Sequence, residues 1–296
     1  MKQTKVKRII AGSAEILAAL LVLLLIAAGV SVFVCSRYIK VTQYDVSLEG
    51  IANPVRLVVA ADIHGKVYGE DNAQLYEKVA AQEPDVIALL GDLFPSHFEE
   101  ADKAYVIDLT QQMLEIAPVW FAMGNHELSY TAQYGSAWID EIRDAGALVF
   151  DEEWRDLELG GNTLRIGGSM GHGYLFGRTP AEFEASADYQ FLTDMQESPY
   201  PAILLAHWPD TVALSDGPMR WKIDLVLCGH THGGVIRLPG IGGVYAPMQG
   251  RWPRFDYGSY MLNDEMRMII TSGLSGHYTV PRIFNLPEIE VIDLQP

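Results

Sequence analysis

Cysteine is scarce in this sequence of 296 residues, which contains only Cys35 and Cys228. Cys35 ends a long apolar run, whereas Cys228 ends a short apolar run that is typical of a buried strand. We therefore do not expect the two thiols to meet in a disulfide, which requires closely spaced Cα atoms. Two isolated thiols also exclude a cysteine-based metal site, so any bound metal must use other side chains.

Positive charge is scarce as well, because 21 basic residues face 38 acidic ones and the formal net charge is −17. Residues 1–40 contain six basic residues and one acid, which leaves 15 basic and 37 acidic residues in the rest of the chain. A domain with this acidic surplus is repelled by nucleic-acid backbones and by anionic headgroups. The sequence therefore predicts no nucleic-acid partner, and phosphate esters would need bound cations in order to be attracted.

One long apolar run lies near the N-terminus. The 19 residues from Ile16 to Val34 carry no charge, and as a helix they span roughly 29 Å, the hydrocarbon thickness of a bilayer. A cleaved signal peptide is the alternative, with Ala27-Ala28-Gly29 as a weak cleavage site. Because the run exceeds the usual apolar core of ~7–15 residues in such peptides, we predict an uncleaved anchor.

The charges around this run predict its orientation. Four basic residues precede the run and two follow it, so the positive-inside rule favours a cytoplasmic N-terminus and an extracytoplasmic main domain. We divide the chain into a basic tail at residues 1–8, a transmembrane anchor at 9–35, a linker at 36–53 and one domain at 54–296.

From residue 54 onwards, apolar runs of strand length alternate with segments of helical periodicity, which predicts an α/β fold. Predicted strands cover residues 55–61, 86–90, 119–123, 202–206, 224–228, 266–270 and 288–292. Predicted helices cover residues 71–82, 101–116, 136–144 and 181–195. Residues 147–150, 157–159 and 164–166 are expected to form short strands of antiparallel type.

Polar residues follow five of the predicted strands, and sites in open α/β sheets form at the carboxyl ends of strands. The candidate metal ligands are Asp62, His64, Asp92, Asn125, His207, His230 and His232. Imidazole, carboxylate and amide groups without thiolate suit manganese, iron or zinc. Seven ligands exceed the needs of one tetrahedral ion and suit two ions that share a carboxylate.

The same blocks, in this order, resemble the calcineurin-like metallophosphoesterase superfamily. The matching blocks are Asp62-x-His64, Gly91-Asp92, Gly124-Asn125-His126-Glu127, Ala206-His207 and Gly229-His230-Thr231-His232-Gly233-Gly234. The resemblance covers about residues 55–294, and it is strongest to membrane-anchored bacterial members similar to UDP-diacylglucosamine pyrophosphatases. It implies a two-sheet β-sandwich flanked by helices.

The resemblance also implies roles for the candidate residues. One ion would be held by Asp62, His64 and His232, and the other by Asn125, His207 and His230. Asp92 would bridge the two ions, a bridging hydroxide would attack phosphorus in line, and His126 would act as general acid. This sequence departs from the family at Pro95, where related phosphatases place a carboxylate that orients the histidine equivalent to His126.

We therefore predict a membrane-anchored, dinuclear metal-dependent phosphoesterase, with manganese favoured and iron or zinc as alternatives. Two rival functions are a pyrophosphatase acting on lipid-linked substrates and a catalytically silent scaffold with the same fold. Seven convergent ligands argue against the scaffold. The aromatic residues Trp252, Phe255 and Tyr257 could pack their loop, which we favour, or contact a bilayer or an acyl chain. Among the remaining histidines, His172 is the best candidate for lining the site.

Overall fold

The computed structural model describes residues 2–170, 179–213, 220–276 and 280–296. Its helices are α1 (Lys2–Cys35), α2 (Ala73–Ala80), α3 (Lys103–Leu114), α4 (Asn125–Tyr134), α5 (Ala137–Ala145), α6 (Pro180–Glu184), α7 (Ala187–Gln196) and α8 (Asp210–Ala213). Its first eight strands are β1 (Lys40–Ser47), β2 (Val55–Ala60), β3 (Val86–Leu90), β4 (Val119–Ala122), β5 (Leu148–Phe150), β6 (Glu153–Leu159), β7 (Asn162–Ser169) and β8 (Ala202–Ala206). The later strands are β9 (Leu225–Cys228), β10 (Arg237–Leu238), β11 (Gly242–Gly243), β12 (Tyr245–Ala246), β13 (Gly250–Arg251), β14 (Gly258–Met261), β15 (Arg267–Ile270) and β16 (Glu288–Gln295).

Two six-stranded mixed sheets form the body of the domain. The first has the strand order β1-β16-β2-β3-β4-β5, and the second has the order β14-β15-β9-β8-β7-β6. In the first sheet β2 to β5 run parallel, and in the second β7, β8, β9 and β15 run parallel. The carboxyl ends of the parallel strands are therefore available as one edge in each sheet.

Three buried apolar clusters hold the layers together. One joins the facing sides of the two sheets, with Leu57 of β2 and Leu205 of β8 among its members. The others join the outer face of each sheet to helices, as Val58 does with α3 residues and Leu204 with α7 residues. This four-layer arrangement explains why β3, Val-Ile-Ala-Leu-Leu, is apolar throughout, since a strand buried on both faces needs a continuous apolar run. The two-sheet sandwich with flanking helices is thus confirmed.

The helix α1 contains a segment, Glu15–Cys35, that is long and apolar enough to cross a membrane. The large apolar side chains from Ile16 to Val30 and that of Phe33 are exposed, whereas Cys35 is buried. Near the C-terminal end of α1, the Ser31 hydroxyl accepts a hydrogen bond from the Phe284 backbone N–H at 2.6 Å. Length and composition fit a membrane anchor, and a signal sequence would pass the same test.

Several predicted elements differ from the structure. The predicted linker at 36–53 contains β1, which pairs with β16 across more than 200 residues, so its local sequence carries little trace of the pairing. Of the three short strands expected to be antiparallel, β5 instead pairs in parallel with β4, whereas β6 and β7 pair antiparallel with each other as expected. The single helix predicted at 181–195 is two helices, because the Ser186 side chain caps the start of α7. The helix α4 was not predicted.

Candidate metal centre

Strands from both sheets end at the same edge of the domain, where the polar residues singled out in the sequence come together. Asp62 follows β2 and Asp92 follows β3, whereas His207 follows β8 and His230 follows β9. The side chains of Asp62, Asp92 and His207 are almost completely buried. Asn125 is the first residue of α4, directly after β4. Strand ends from both sheets therefore contribute to one cluster, whereas the sequence analysis assumed a site at the edge of one open sheet.

The titratable side chains form three overlapping groups in which one ligand atom from each residue lies within 4.8 Å of the others. The groups are Asp62, His64 and His232; Asp92, His207 and His230; and His64, Asp92 and His126. Asp92 belongs to two of these groups, and its Oδ2 is 3.2 Å from Nε2 of His207 and 3.8 Å from Nε2 of both His64 and His126. One carboxylate is thus shared by two groups that could each hold a metal ion.

Backbone carbonyls fix the orientation of four histidine rings. Nδ1 of His64 lies 3.2 Å from the Phe94 carbonyl oxygen, and Nδ1 of His126 lies 3.1 Å from that of Pro95. Nδ1 of His207 lies 2.6 Å from the Leu90 carbonyl oxygen, and Nδ1 of His232 lies 3.2 Å from that of Ser275. A carbonyl oxygen can only accept, so Nδ1 must carry the hydrogen in each ring. Each Nε2 is left facing the cluster, which is the arrangement seen when a second partner orients a metal-binding histidine.

The backbone at the cluster is strained in a way that aims the side chains inward. Positive φ angles occur at Asp62 (53°), His64 (48°), Asp92 (54°), His230 (68°) and His232 (50°). Left-handed conformations of this kind are uncommon outside glycine and persist where the surrounding structure enforces them, often at functional sites. The neighbouring Gly273 is required as glycine, because an added Cβ would lie 2.6 Å from the Cβ of Asp62.

Glu127, for which the sequence predicts no separate role, holds two of the loops together. Its buried carboxylate accepts hydrogen bonds from the backbone N–H groups of Asp92 at 2.6 Å, Leu93 at 2.8 Å and Gly124 at 2.8 Å. Asp92 and Asn125 are therefore placed relative to each other by one side chain. The sequence carries a sign of this role, since a glutamate at the third position of a helix commonly bonds back to the helix start.

We expect Glu127→Gln to weaken metal binding by about 10–100-fold, the usual effect of removing a group that supports metal ligands. The glutamine amide would present N–H donors to backbone N–H donors, so one of the two loops must move. Competition with a chromogenic chelator measures the affinity. The matched control is Glu115→Gln at an exposed position, and equal affinities for the two variants would contradict the positioning role of Glu127.

Although Pro95 has no carboxylate to orient His126, the backbone supplies an orienting partner. The carbonyl of Pro95 itself accepts the hydrogen bond from Nδ1 of His126. The His126 backbone N–H also donates to Oδ1 of Asp92 at 2.9 Å. The side chain of His126 is 19% exposed, against 6% for His64, so a bound substrate can reach it more readily.

Asn125 lies beside a residue that the sequence analysis did not single out. Its Oδ1 accepts a hydrogen bond from the indole N–H of Trp208 at 2.9 Å. The Trp208 ring also packs on the ring of His230, with centroids 4.8 Å apart. Because an amide oxygen has two lone pairs, Oδ1 of Asn125 retains capacity for a metal ion.

Hydrogen bonds from Arg282 and Asn285 hold the loop that carries His232. Nε of Arg282 donates to the carbonyl of Ser275 at 2.9 Å, and the same carbonyl accepts from Nδ1 of His232. Nδ2 of Asn285 donates to the carbonyl of His232 at 2.7 Å. Arg282 is buried, so it supports the loop, whereas Arg251 and Arg254 are exposed. His172, which the sequence suggested as a residue lining the site, lies outside the described residues.

Charge and burial together set the protonation of the cluster. Burial lowers the pKa of His64 to about 4 and that of His230 to about 3, so both rings are neutral near pH 7. Burial also lowers the pKa of His207, but the adjacent Asp92 and Asp62 carboxylates outweigh it and raise the value to about 9. The surroundings of Nε2 in His207 therefore favour positive charge, which a bound cation would provide.

The residues present fit divalent metal ions. Nε2 of His230 is buried and has no hydrogen-bond partner among the described residues. Leaving such nitrogens unpaired costs free energy, and coordination of a metal would remove that cost. Buried carboxylates beside neutral imidazoles supply oxygen and nitrogen ligands without thiolate, a donor set suited to borderline divalent ions.

Comparison with known proteins agrees with this chemistry. The profile of calcineurin-like phosphoesterases matches residues 55–234, a range that includes every candidate ligand and His126. The phosphodiesterase YaeI of Escherichia coli is 26% identical over 247 residues, which are 82% of this chain and 83% of that protein. The uncharacterised metallophosphoesterase Cj0846 of Campylobacter jejuni is 28% identical over 258 residues, which are 86% of this chain and 63% of that protein.

One solved structure with a detectable likeness is the phosphopantetheinyl hydrolase PptH of Mycobacterium tuberculosis. The alignment covers 76% of this chain and 92% of that one, at 11% identity and a TM-score of 0.43.

Proposed function

Since the chain belongs to the calcineurin-like phosphoesterase family and is therefore a hydrolase, we propose that it is a dinuclear metal-dependent phosphoesterase that cleaves phosphodiesters. The observation that carries this proposal is the central position of Asp92. Its carboxylate is grouped with His207 and His230 and also lies 3.8 Å from Nε2 of His64, a member of the group with Asp62 and His232, as a ligand between two neighbouring ions requires. The name of the related phosphodiesterase supports the choice of diesters.

The proposed ligands divide between the two positions. Asp62, His64 and His232 would hold one ion. Asn125, His207 and His230 would hold the other, and Asp92 would contact both, since it is grouped with His207 and His230 and lies 3.8 Å from Nε2 of His64. Ions bound there would supply an activated water molecule and neutralise charge on the phosphoryl oxygens. Manganese is our preferred ion, with iron and zinc as alternatives that the same ligands accept.

The chain itself supplies the remaining chemistry. His126 is more exposed than His64 but lies in the same cluster, and its Nδ1 is held by the Pro95 carbonyl. When the imidazole is protonated, its Nε2 hydrogen faces the cluster and can be donated to the departing oxygen. Oδ2 of Asp92 lies 3.8 Å from this nitrogen.

A lipid-linked phosphoester is a second candidate substrate, supported by a pocket beside the metal centre. This pocket has a volume of about 320 Å³ and is lined by Gly234, Val235, Ile236, Val244, Tyr245 and Val280. Gly234 and Val235 lie two and three residues after His232, so an apolar tail could lie next to the reacting phosphate. A pyrophosphatase acting on a nucleotide-linked lipid, as the sequence resemblance suggests, belongs to this class.

We further propose that α1 anchors the protein and that the domain lies outside the cytoplasm. The basic residues before Ile9 and the exposed apolar surface of Glu15–Cys35 support this topology. A reporter that is active only in the cytoplasm, fused after Pro296, should remain silent. A strong reporter signal would reverse the proposed orientation.

The proposed activity can be tested with the full-length protein in detergent. Manganese-loaded protein should hydrolyse bis(nitrophenyl) phosphate faster than nitrophenyl phosphate, because the first is a diester and the second a monoester. A chelator should abolish the activity, and added manganese should restore it. Hydrolysis of a lipid pyrophosphate alone would favour the second candidate, and no hydrolysis by the metal-loaded protein would favour a silent scaffold.

A further inference from the structure

We propose that the segment 236–252, together with Val280, forms a second membrane contact that rests in the surface of the bilayer beside α1. This inference deepens the proposed function and depends on the proposed anchor. A continuous set of hydrogen bonds leads from Ser31 of α1 to Trp252.

The contacts form a ladder of neighbouring segments. Phe284 is bonded to Ser31 of α1, and the adjacent Ile283 accepts a hydrogen bond from the Arg237 backbone N–H at 3.0 Å. Two further backbone bonds of 2.9 Å extend the ladder, from Val244 N–H to the Ile236 carbonyl and from Trp252 N–H to the Val244 carbonyl. At about 4.8 Å between neighbouring segments, Trp252 lies roughly 15 Å from the chain that contacts the helix.

The starting point of the ladder lies at membrane depth. Ser31 is four residues before Cys35, the last residue of the apolar span, so it lies about 6 Å below the outer end of that span. A segment bonded to Ser31 therefore begins at the level of the bilayer surface if α1 crosses the membrane. The ladder brings residues 236–252 beside the helix rather than on the far side of the domain.

The exposed side chains of this segment are of the kind that bilayer surfaces accept. Ile241, Tyr245, Met248 and Trp252 are 70%, 45%, 49% and 57% exposed, and Val280 beside them is 36% exposed. Among the described residues after α1, these five are more than half of the large hydrophobic side chains that remain exposed. Such clustering marks an interaction surface, and tryptophan and tyrosine are enriched where membrane meets water.

Local charge points to a lipid surface. Residues 233–258 contain three arginines and one acid, although the domain as a whole is strongly acidic. The single acid, Asp256, is buried and bonded to Arg237 at 2.7 Å, whereas Arg251 and Arg254 are exposed. Exposed arginines beside apolar side chains suit anionic headgroups, each contributing on the order of 1 kcal/mol near such a surface. The negative net charge of the domain therefore does not reveal this locally basic patch.

The contact would give substrates carried in a bilayer direct access to the metal centre. Ile236, Val244, Tyr245 and Val280 belong both to this surface and to the apolar pocket that reaches Val235. An amphiphilic phosphoester could therefore enter from the lipid side without its apolar part crossing water.

Lipid-borne quenchers can test the contact in the full-length protein. Single cysteines at Ile241→Cys and Trp252→Cys carry a fluorescent label, and the protein is placed in vesicles of phosphatidylcholine and phosphatidylglycerol with nitroxide lipids. Val30→Cys, on the exposed surface of α1, reports the anchor. Glu49→Cys, at an exposed position just after β1 and near the start of β2, reports water. The unmutated chain controls for labelling of the two buried native cysteines.

Labels at positions 241 and 252 should lose fluorescence to an extent comparable with position 30, whereas position 49 should be unaffected. Quenching at position 30 alone would overturn the membrane contact and leave the anchor intact. Absence of quenching at all four positions would overturn the anchor and the contact together. A spectral shift at 241 and 252 without quenching would show that another protein chain covers the surface, and it would also overturn the proposal.

Discussion

Replacing Asp92 with asparagine should reduce turnover by at least about 10³-fold while leaving the fold intact, comparable to losing a principal electrostatic group. The amide keeps the size of the side chain and can still accept the hydrogen bond from His126 N–H. It removes the negative charge that lies 3.2 Å from Nε2 of His207 and 3.8 Å from Nε2 of His64, which are proposed ligands of different ions. Elemental analysis should therefore show the loss of one or both metal ions.

A matched substitution at the surface separates this effect from a general loss of stability. Asp108→Asn changes an exposed carboxylate on α3 and should leave metal content, turnover and melting temperature unchanged. Two ions retained by the Asp92 variant together with normal turnover would rule out the shared-ligand role of Asp92.

The His126→Ala variant should keep its metal ions and lose about 10²–10⁴-fold in kcat, the usual range for general acid–base assistance. The ring of His126 faces the cluster without being needed as a ligand in the proposed assignment. Because the Pro95 carbonyl orients the ring but carries no full charge, we expect a loss near the lower end of this range. Steady-state kinetics with metal analysis of the same sample measures both quantities.

The leaving group distinguishes proton donation from other roles of His126. Nitrophenolate departs without much protonation, so the loss should be smaller for nitrophenyl esters than for alkyl esters. His97→Ala, at an exposed position outside the cluster, provides the histidine control. Equal losses on both kinds of ester would instead indicate that His126 stabilises charge or positions the substrate.

The sequence was sufficient to predict the strands that carry the cluster, because each is an apolar run followed at once by polar residues. The run Val86 to Leu90 is apolar throughout and buried at every position, so its sequence agrees with its place in the core. The convergence of Asp92 with His207 follows from two sheets packed face to face, and only the resemblance to a family suggested that arrangement.

Features that depend on distant pairing could not be predicted from local pattern. The edge strand β1 has only one buried residue among its eight, and its partner β16 lies at the other end of the chain. The orientation of His126 depends on a backbone carbonyl, which every residue has, so the identity of residue 95 does not reveal it. Glu127 is similar, because its partners are backbone N–H groups of two loops that meet only in the fold.

A metal titration of the full-length protein tests whether two metal ions act together around Asp92. Manganese is added in steps to metal-free protein while bound metal and hydrolysis of bis(nitrophenyl) phosphate are measured in the same samples. We predict that activity reaches its plateau at two bound ions per chain. Full activity with one bound ion, or with none, would contradict it.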